Sequence, residues 1–220
     1  MMAAKRIFLI HATPVAIAPI NEAFARLWPE AELCNLLEDS LSRDLRSSGS
    51  LTESLRQRFL ELARYARGAG ADGILFTCSA FGEAIDACKK ALDVPVLKPN
   101  EAMLEEALDH GDRVALLATF PPAIDSMSQE LKAAARARDR QIVLHHAVCP
   151  AAIEALHEGN GDRHDQLIGE LVPPLPDVDV ICFAQFSMTS AASTCAQLTA
   201  TPILTTPGSA VLKMKRLLGC

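Results

Sequence analysis

Residues 70–83, GADGILFTCSAFGE, read as a turn, a short buried strand and the start of a helix. Gly70 and Gly73 punctuate the turn, and Ile74, Leu75 and Phe76 form an uninterrupted apolar run. An apolar run of that length between turn residues marks a strand covered on both faces, as in a parallel sheet. A related stretch returns at residues 177–190, DVDVICFAQFSMTS. An offset of 107 carries Asp72 onto Asp179, Ile74 onto Ile181, Phe76 onto Phe183 and Cys88 onto Cys195.

Working outward, the same offset carries Arg6 onto Arg113, Leu9 onto Leu116 and Pro14 onto Pro121, and further on Pro95 onto Pro202 and Leu97 onto Leu204. Agreement in separate blocks at one constant offset reads as a duplication. Within the first copy, residues 5–11 and 31–37 read as strands. Helices are expected around 18–28, over 51–67 (LTESLRQRFLELARYAR) and over 80–92, and the Ser- and Arg-rich stretch from Ser40 to Ser50 reads as a loop. Alternating strands and amphipathic segments predict an α/β fold of two similar Rossmann-like lobes with parallel sheets, related by a pseudo-twofold axis. Lobe one would be residues 1–98 plus a returning tail helix at 207–220, and lobe two residues 99–206. Open parallel sheets place ligands at the carboxyl ends of their strands, so the active site is expected in a cleft between the lobes.

Composition narrows the function. The 220 residues are 50% hydrophobic and 22% charged, an ordinary globular balance. With 21 basic against 27 acidic residues and no basic cluster, a nucleic-acid surface is not expected. His11 and Pro14 cut the apolar run Ile7–Ile10 too short for a signal peptide, and no stretch approaches a membrane span, so a cytoplasmic protein is expected. The seven cysteines are scattered without Cys-x-x-Cys spacing, which predicts reduced thiols and no metal site. Gly68-x-Gly70-x-x-Gly73 matches the dinucleotide pattern literally, but it precedes a strand, whereas the phosphate-binding version follows one. No cofactor is expected.

Chemistry-bearing residues cluster at the predicted strand ends. Cys78 lies where a strand gives way to a helix N-terminus, a setting whose free N–H groups favour a thiolate; a buried cysteine beside an ordinary cap reads equally well. Ser79 is a candidate helix cap whose hydroxyl would help hold a carboxylate. Thr13, in His11-Ala-Thr-Pro14, and Thr119, in Ala118-Thr-Phe-Pro121, end the first strand of each copy, where hydroxyls and amides could bind a carboxylate or serve only as turn residues before proline. His11 is a candidate site residue or a hydrogen-bonded structural one. His145 and His146 fall on or just after a strand, and His110, His157 and His164 read as solvated. Trp28 is expected to pack in the core where a helix closes, and Glu38 and Asp39 read as an acidic loop.

The strand–Thr77-Cys78-Ser79 turn, the Leu116-Leu-Ala-Thr119 strand end with its proline loop, and the duplicated plan together resemble the aspartate/glutamate/hydantoin racemase superfamily, which includes arylmalonate decarboxylase and maleate isomerase. The resemblance covers nearly the whole chain. It implies a cofactor-independent enzyme working at the α-carbon of a small carboxylate such as an amino acid or hydantoin, commonly as a dimer or higher homo-oligomer. It also implies two cysteines on opposite faces of that carbon. Cys78 matches the first, but the second position holds Gln185. A glutamine amide exchanges no proton near neutral pH. Three readings stay open: a racemase whose second proton comes from water or Ser187, a decarboxylase or lyase with one thiol, and a nucleophilic Cys78 with Gln185 orienting the substrate. A small-acid binding protein without catalysis is the alternative from another class. Thr13, Ser79, Thr119, Gln185 and Ser187 are the expected substrate-binding residues.

Overall fold

The computed structural model describes residues 4–220. Two compact units divide them: one runs to Glu101 and takes in Ala210–Cys220, and the other is Ala102–Ser209. Each is built on a four-stranded, all-parallel sheet.

In unit one the strands are β1 (Arg6–His11), β2 (Glu32–Leu37), β3 (Gly73–Phe76) and β4 (Val96–Leu97), ordered β2-β1-β3-β4. The helices are α1 (Ile17–Leu27), α2 (Ser40–Ser48), α3 (Glu53–Gly68) and α4 (Gly82–Ala91). Phe8, Ile10, Ile74 and Phe76 face a core with Phe59, Phe81 and Ile85 from the helix side. The ring of Phe59 lies 4.4 Å from that of Phe81 and 5.3 Å from that of Phe76. Trp28 closes α1, buried and stacked 6.0 Å from Phe24.

The stretch from Ser40 to Ser50 is a helix rather than the expected loop. Leu41 and Leu45 stand four apart and face the core, which gives α2 an apolar side despite its serines. Gly49 takes the left-handed conformation at φ 68° and returns its N–H to the Leu45 carbonyl, ending the helix.

In unit two the order continues with α5 (Glu101–His110), β5 (Arg113–Ala118), α6 (Pro121–Arg136), β6 (Val143–Val148), α7 (Pro150–His157), α8 (Gly161–Gly169), β7 (Val180–Phe183), α9 (Ala192–Ala196), β8 (Ile203–Thr205) and α10 (Thr206–Leu217). Its sheet order is β6-β5-β7-β8, matching unit one strand for strand. Helices α5 and α10 each cross from one unit into the other. In unit one, α10 sets Met214 over Gly73, where a Cβ would meet its sulfur at 2.6 Å, and Lys215 donates to the Leu27 carbonyl at 3.3 Å.

The two sheets share their internal register. Arg6 N–H donates to Asp72 at 2.8 Å and Arg113 N–H to Asp179 at 2.8 Å, each across a sequence separation of 66. The central pairing β1–β3 carries the same separation, from Ile7 opposite Gly73. Both aspartates thus receive the first amide of the central strand. The Arg113 side chain also grips Asp179 and Asp177. The copies differ after β7, where a six-residue 3-10 turn (Phe186–Ala191) and the short α9 replace the three-residue 3-10 turn (Ser79–Phe81) and ten-residue α4 of unit one.

His164 is fully buried in α8 rather than solvated. Its Nδ1 meets Asp165 Oδ1 at 2.7 Å, and that oxygen also accepts from Ser190. His110 and His157 are exposed, and His145 and His146 lie on β6.

Candidate active site

A sheet ordered 2-1-3-4 reverses its direction of winding between its first and third strands. Ligands of open α/β sheets bind outside the carboxyl ends at such a point. In unit one that place lies between the ends of β1 and β3, and in unit two between the ends of β5 and β7. The residues beyond those four strand ends are the ones singled out above.

In unit one, β3 stops at Phe76, but Thr77 N–H still donates to the Ile10 carbonyl at 3.1 Å, so the backbone runs on alongside β1. Cys78 follows in extended conformation and opens the 3-10 turn Ser79–Phe81. The Ala80 N–H reaches its sulfur and favours the thiolate, but burial acts harder in the other direction and pushes the thiol up from its ordinary value. Of the two readings open for Cys78, its surroundings thus work against the thiolate that a helix N-terminus would favour. The 3-10 turn offers one such amide where a full helical turn would offer more. Ser79 is exposed and caps nothing. Thr13 accepts from Val15 N–H at 3.3 Å, capping the turn Pro14–Ala16, which leaves its hydroxyl proton to give.

His11 does not reach outward. It is fully buried, with Nδ1 2.8 Å from Thr77 Oγ1 and Nε2 2.9 Å from Asn35 Oδ1. Burial pushes its pKa down against the opposing bond to Asn35, so the ring is held neutral.

In unit two, Gln185 and Thr119 are joined. The Gln185 Oε1 accepts from Thr119 N–H at 2.7 Å, Phe120 N–H at 3.2 Å and the Thr119 hydroxyl at 3.1 Å. One carbonyl oxygen thus gathers three donors from the end of β5. The side chain cannot flip without losing them, so the amide NH₂ is the end free to meet a ligand. Ser187 is half-buried two residues further along the 3-10 turn. The offset of 107 puts Cys78 at the place of Gln185, and the amides of Ala12 and Thr13 at the places of those from Thr119 and Phe120.

Three of the other thiols are unsuited to chemistry. Cys88, Cys182 and Cys195 are fully buried. Burial lifts the pKa of Cys88 and of Cys195 to about 11 and raises that of Cys182 further. Glu38 accepts from Ser40 and pairs with Arg58. Among the described residues no group of three or more His, Cys, Asp or Glu side chains could hold a metal ion. No helix among them is long and apolar enough to cross a membrane.

Sequence reasoning did not single out Asn35, Thr77 or the Phe120 amide. A signal existed: His11 and Thr77 stand 66 apart, as do Thr119 and Gln185, the separation already visible between Arg6 and Asp72.

A family model described as Asp/Glu/hydantoin racemase matches residues 17–135. No curated protein sequence matches the chain. Among solved structures, allantoin racemase from Klebsiella pneumoniae is similar at a TM-score of 0.74 and 17% identity, covering 98% of this chain and 88% of that one. Picrophilus torridus aspartate racemase gives 0.73 and 13%, covering 98% and 95%. Unliganded arylmalonate decarboxylase gives 0.67 and 18%, covering 98% and 94%. At these identities the likeness is one of fold.

Proposed function

The chain belongs to the Asp/Glu/hydantoin racemase family, and from that premise we propose that it is a cofactor-independent enzyme acting at the α-carbon of a small carboxylic acid, with Cys78 as its one acid/base group. The observation that carries this reading is the unequal pair of strand ends: a thiol at one, and at the other a glutamine pinned by three donors. The duplication gives the two ends corresponding places in their units, and each is assigned to the substrate. Thr13 and Ser79 with Cys78, and Thr119, Gln185 and Ser187 with each other, bind and polarise its carboxylate and carbonyl oxygens.

Within the family the geometry favours chemistry on one face of the carbon. Removing an α-proton requires a base, but burial disfavours the Cys78 thiolate, which suits the thiol to give a proton. In a decarboxylation the bond from the α-carbon to one carboxylate breaks and CO₂ leaves. The electron pair passes into an enolate, the Cys78 S–H delivers its proton to the carbon, and solvent reprotonates the thiolate. Donors such as the Thr13 hydroxyl and the Gln185 amide would stabilise the enolate oxygens. Racemisation is the second reading, favoured by the family's description, and it needs a thiolate formed on binding and a second proton from water or Ser187.

The experiment is a panel of amino acids, hydantoins and substituted malonates incubated in D₂O. CO₂ release with one deuterium on one face supports decarboxylation. Deuterium entering with loss of optical activity supports racemisation. Turnover that survives in Cys78→Ser rejects the assignment of Cys78.

A further inference from the structure

The half that carries the thiol contains a polar chain, buried at His11 and Thr77 and exposed at Asn35, that its copy lacks. Asn35 on β2, His11 at the end of β1 and Thr77 beyond the end of β3 join three neighbouring strands through 2.9 Å and 2.8 Å contacts. The offset of 107 replaces His11 with Ala118 and Thr77 with Ala184. The second sheet reaches the same order and register with methyl groups at those places, so the fold does not require the chain. Burying a histidine ring and a hydroxyl carries a desolvation cost that two alanines avoid.

The donors can be assigned. Asn35 Oδ1 only accepts, so Nε2 of His11 carries the hydrogen and Nδ1 offers its lone pair. Thr77 then gives its single hydroxyl proton to Nδ1 at 2.8 Å in preference to the Ile10 carbonyl at 3.4 Å. Thr77 is held at backbone and side chain at once, since its N–H also bonds Ile10. The next residue is Cys78. We propose that His11, Thr77 and Asn35 are positioning residues for Cys78, a clamp that fixes the strand end so that the half-buried thiol stays covered and aligned with the Ala80 amide. This rests on Cys78 being the reacting group.

The test is the rate at which iodoacetamide alkylates Cys78 across pH, followed by peptide mass spectrometry, with Cys78→Ser as the blank. Thr77→Val keeps the shape and removes the hydroxyl. Loosening the clamp exposes the sulfur, so the midpoint should fall toward that of a free thiol and the rate at pH 8 should rise at least about fivefold. Thr77→Ser, which keeps the hydroxyl, should stay within about twofold of the parent. Asn35→Ala cuts the clamp at its exposed outer end, where folding is least at risk, and should accelerate alkylation in the same direction. If Thr77→Val and Asn35→Ala both alkylate at the parent rate, the proposal fails. Because alkylation needs no substrate, that result is distinct from turnover persisting in Cys78→Ser, which would reject the assigned function.

Discussion

Replacing Gln185 by leucine or by glutamate separates its structural role from its chemical one. In Gln185→Leu the three donors lose their acceptor. The Thr119 hydroxyl can turn elsewhere, and Phe120 is 54% exposed, so its amide can take water. Thr119 is 1% exposed, and its N–H is left buried without a partner. One such orphan costs about 1–3 kcal/mol, and for a chain of this size each kcal/mol lowers the Tm by about 2–4 °C. In Gln185→Glu the acceptor remains, and a carboxylate accepts such bonds roughly twice as strongly. That variant should match or exceed the parent at pH 7. The three donors depress the folded pKa of the introduced carboxylate, so its contribution is full above the unfolded value of about 4.3 and is lost as pH falls through the folded value. Urea and thermal unfolding followed by circular dichroism at pH 7 and pH 4 read both effects. Both variants should lose turnover, since neither offers an amide N–H and the second presents a negative charge to an acid. If Gln185→Leu is as stable as the parent, or Gln185→Glu falls below it at pH 7, the three-donor reading of this strand end is wrong.

Native alkylation should label Cys78 slowly at neutral pH and leave Cys88, Cys182 and Cys195 unlabelled until urea unfolds their cores, as peptide mapping would show. His11, whose folded pKa is depressed, contributes stability that is full above its unfolded value of about 6.5 and is lost as pH falls through the folded one. His11→Gln should flatten that part of a stability–pH curve, and an unchanged slope would show that the ring is not the group responsible. Gly111→Ala should destabilise by about 1–3 kcal/mol in urea, because its Cβ would overlap Asp179 from Cβ to Oδ2 and push the carboxylate off Arg113. Gly73→Ala should cost less, since the obstructing group is the flexible end of Met214.

The strands were readable because their apolar runs are short and bounded by turn residues, and the matching order of the two sheets follows from the repeated blocks around Asp72 and Asp179. Helix α2 was hidden because serines and arginines outnumber Leu41 and Leu45, and two apolar residues four apart suffice only when a core is there to receive them. At the site, strand-end position singled out Cys78 and Gln185, but not the states of their side chains. The raised pKa of Cys78 depends on how much protein covers the sulfur, and the fixed amide of Gln185 depends on two backbone N–H groups that carry no side-chain signature. His164 misled for a similar reason: its neighbours along the chain are polar, and its burial comes from elements distant in sequence.

The crossing of α5 and α10 between the units has a consequence for synthesis. Unit two is one continuous segment, Ala102–Ser209, and all of it can fold as it leaves the ribosome. Unit one is begun first and finished last, because Ala210–Cys220 must arrive before Met214 can settle on Gly73 and Lys215 on Leu27. The half bearing Cys78 is therefore the later to be completed, while the glutamine half is already formed.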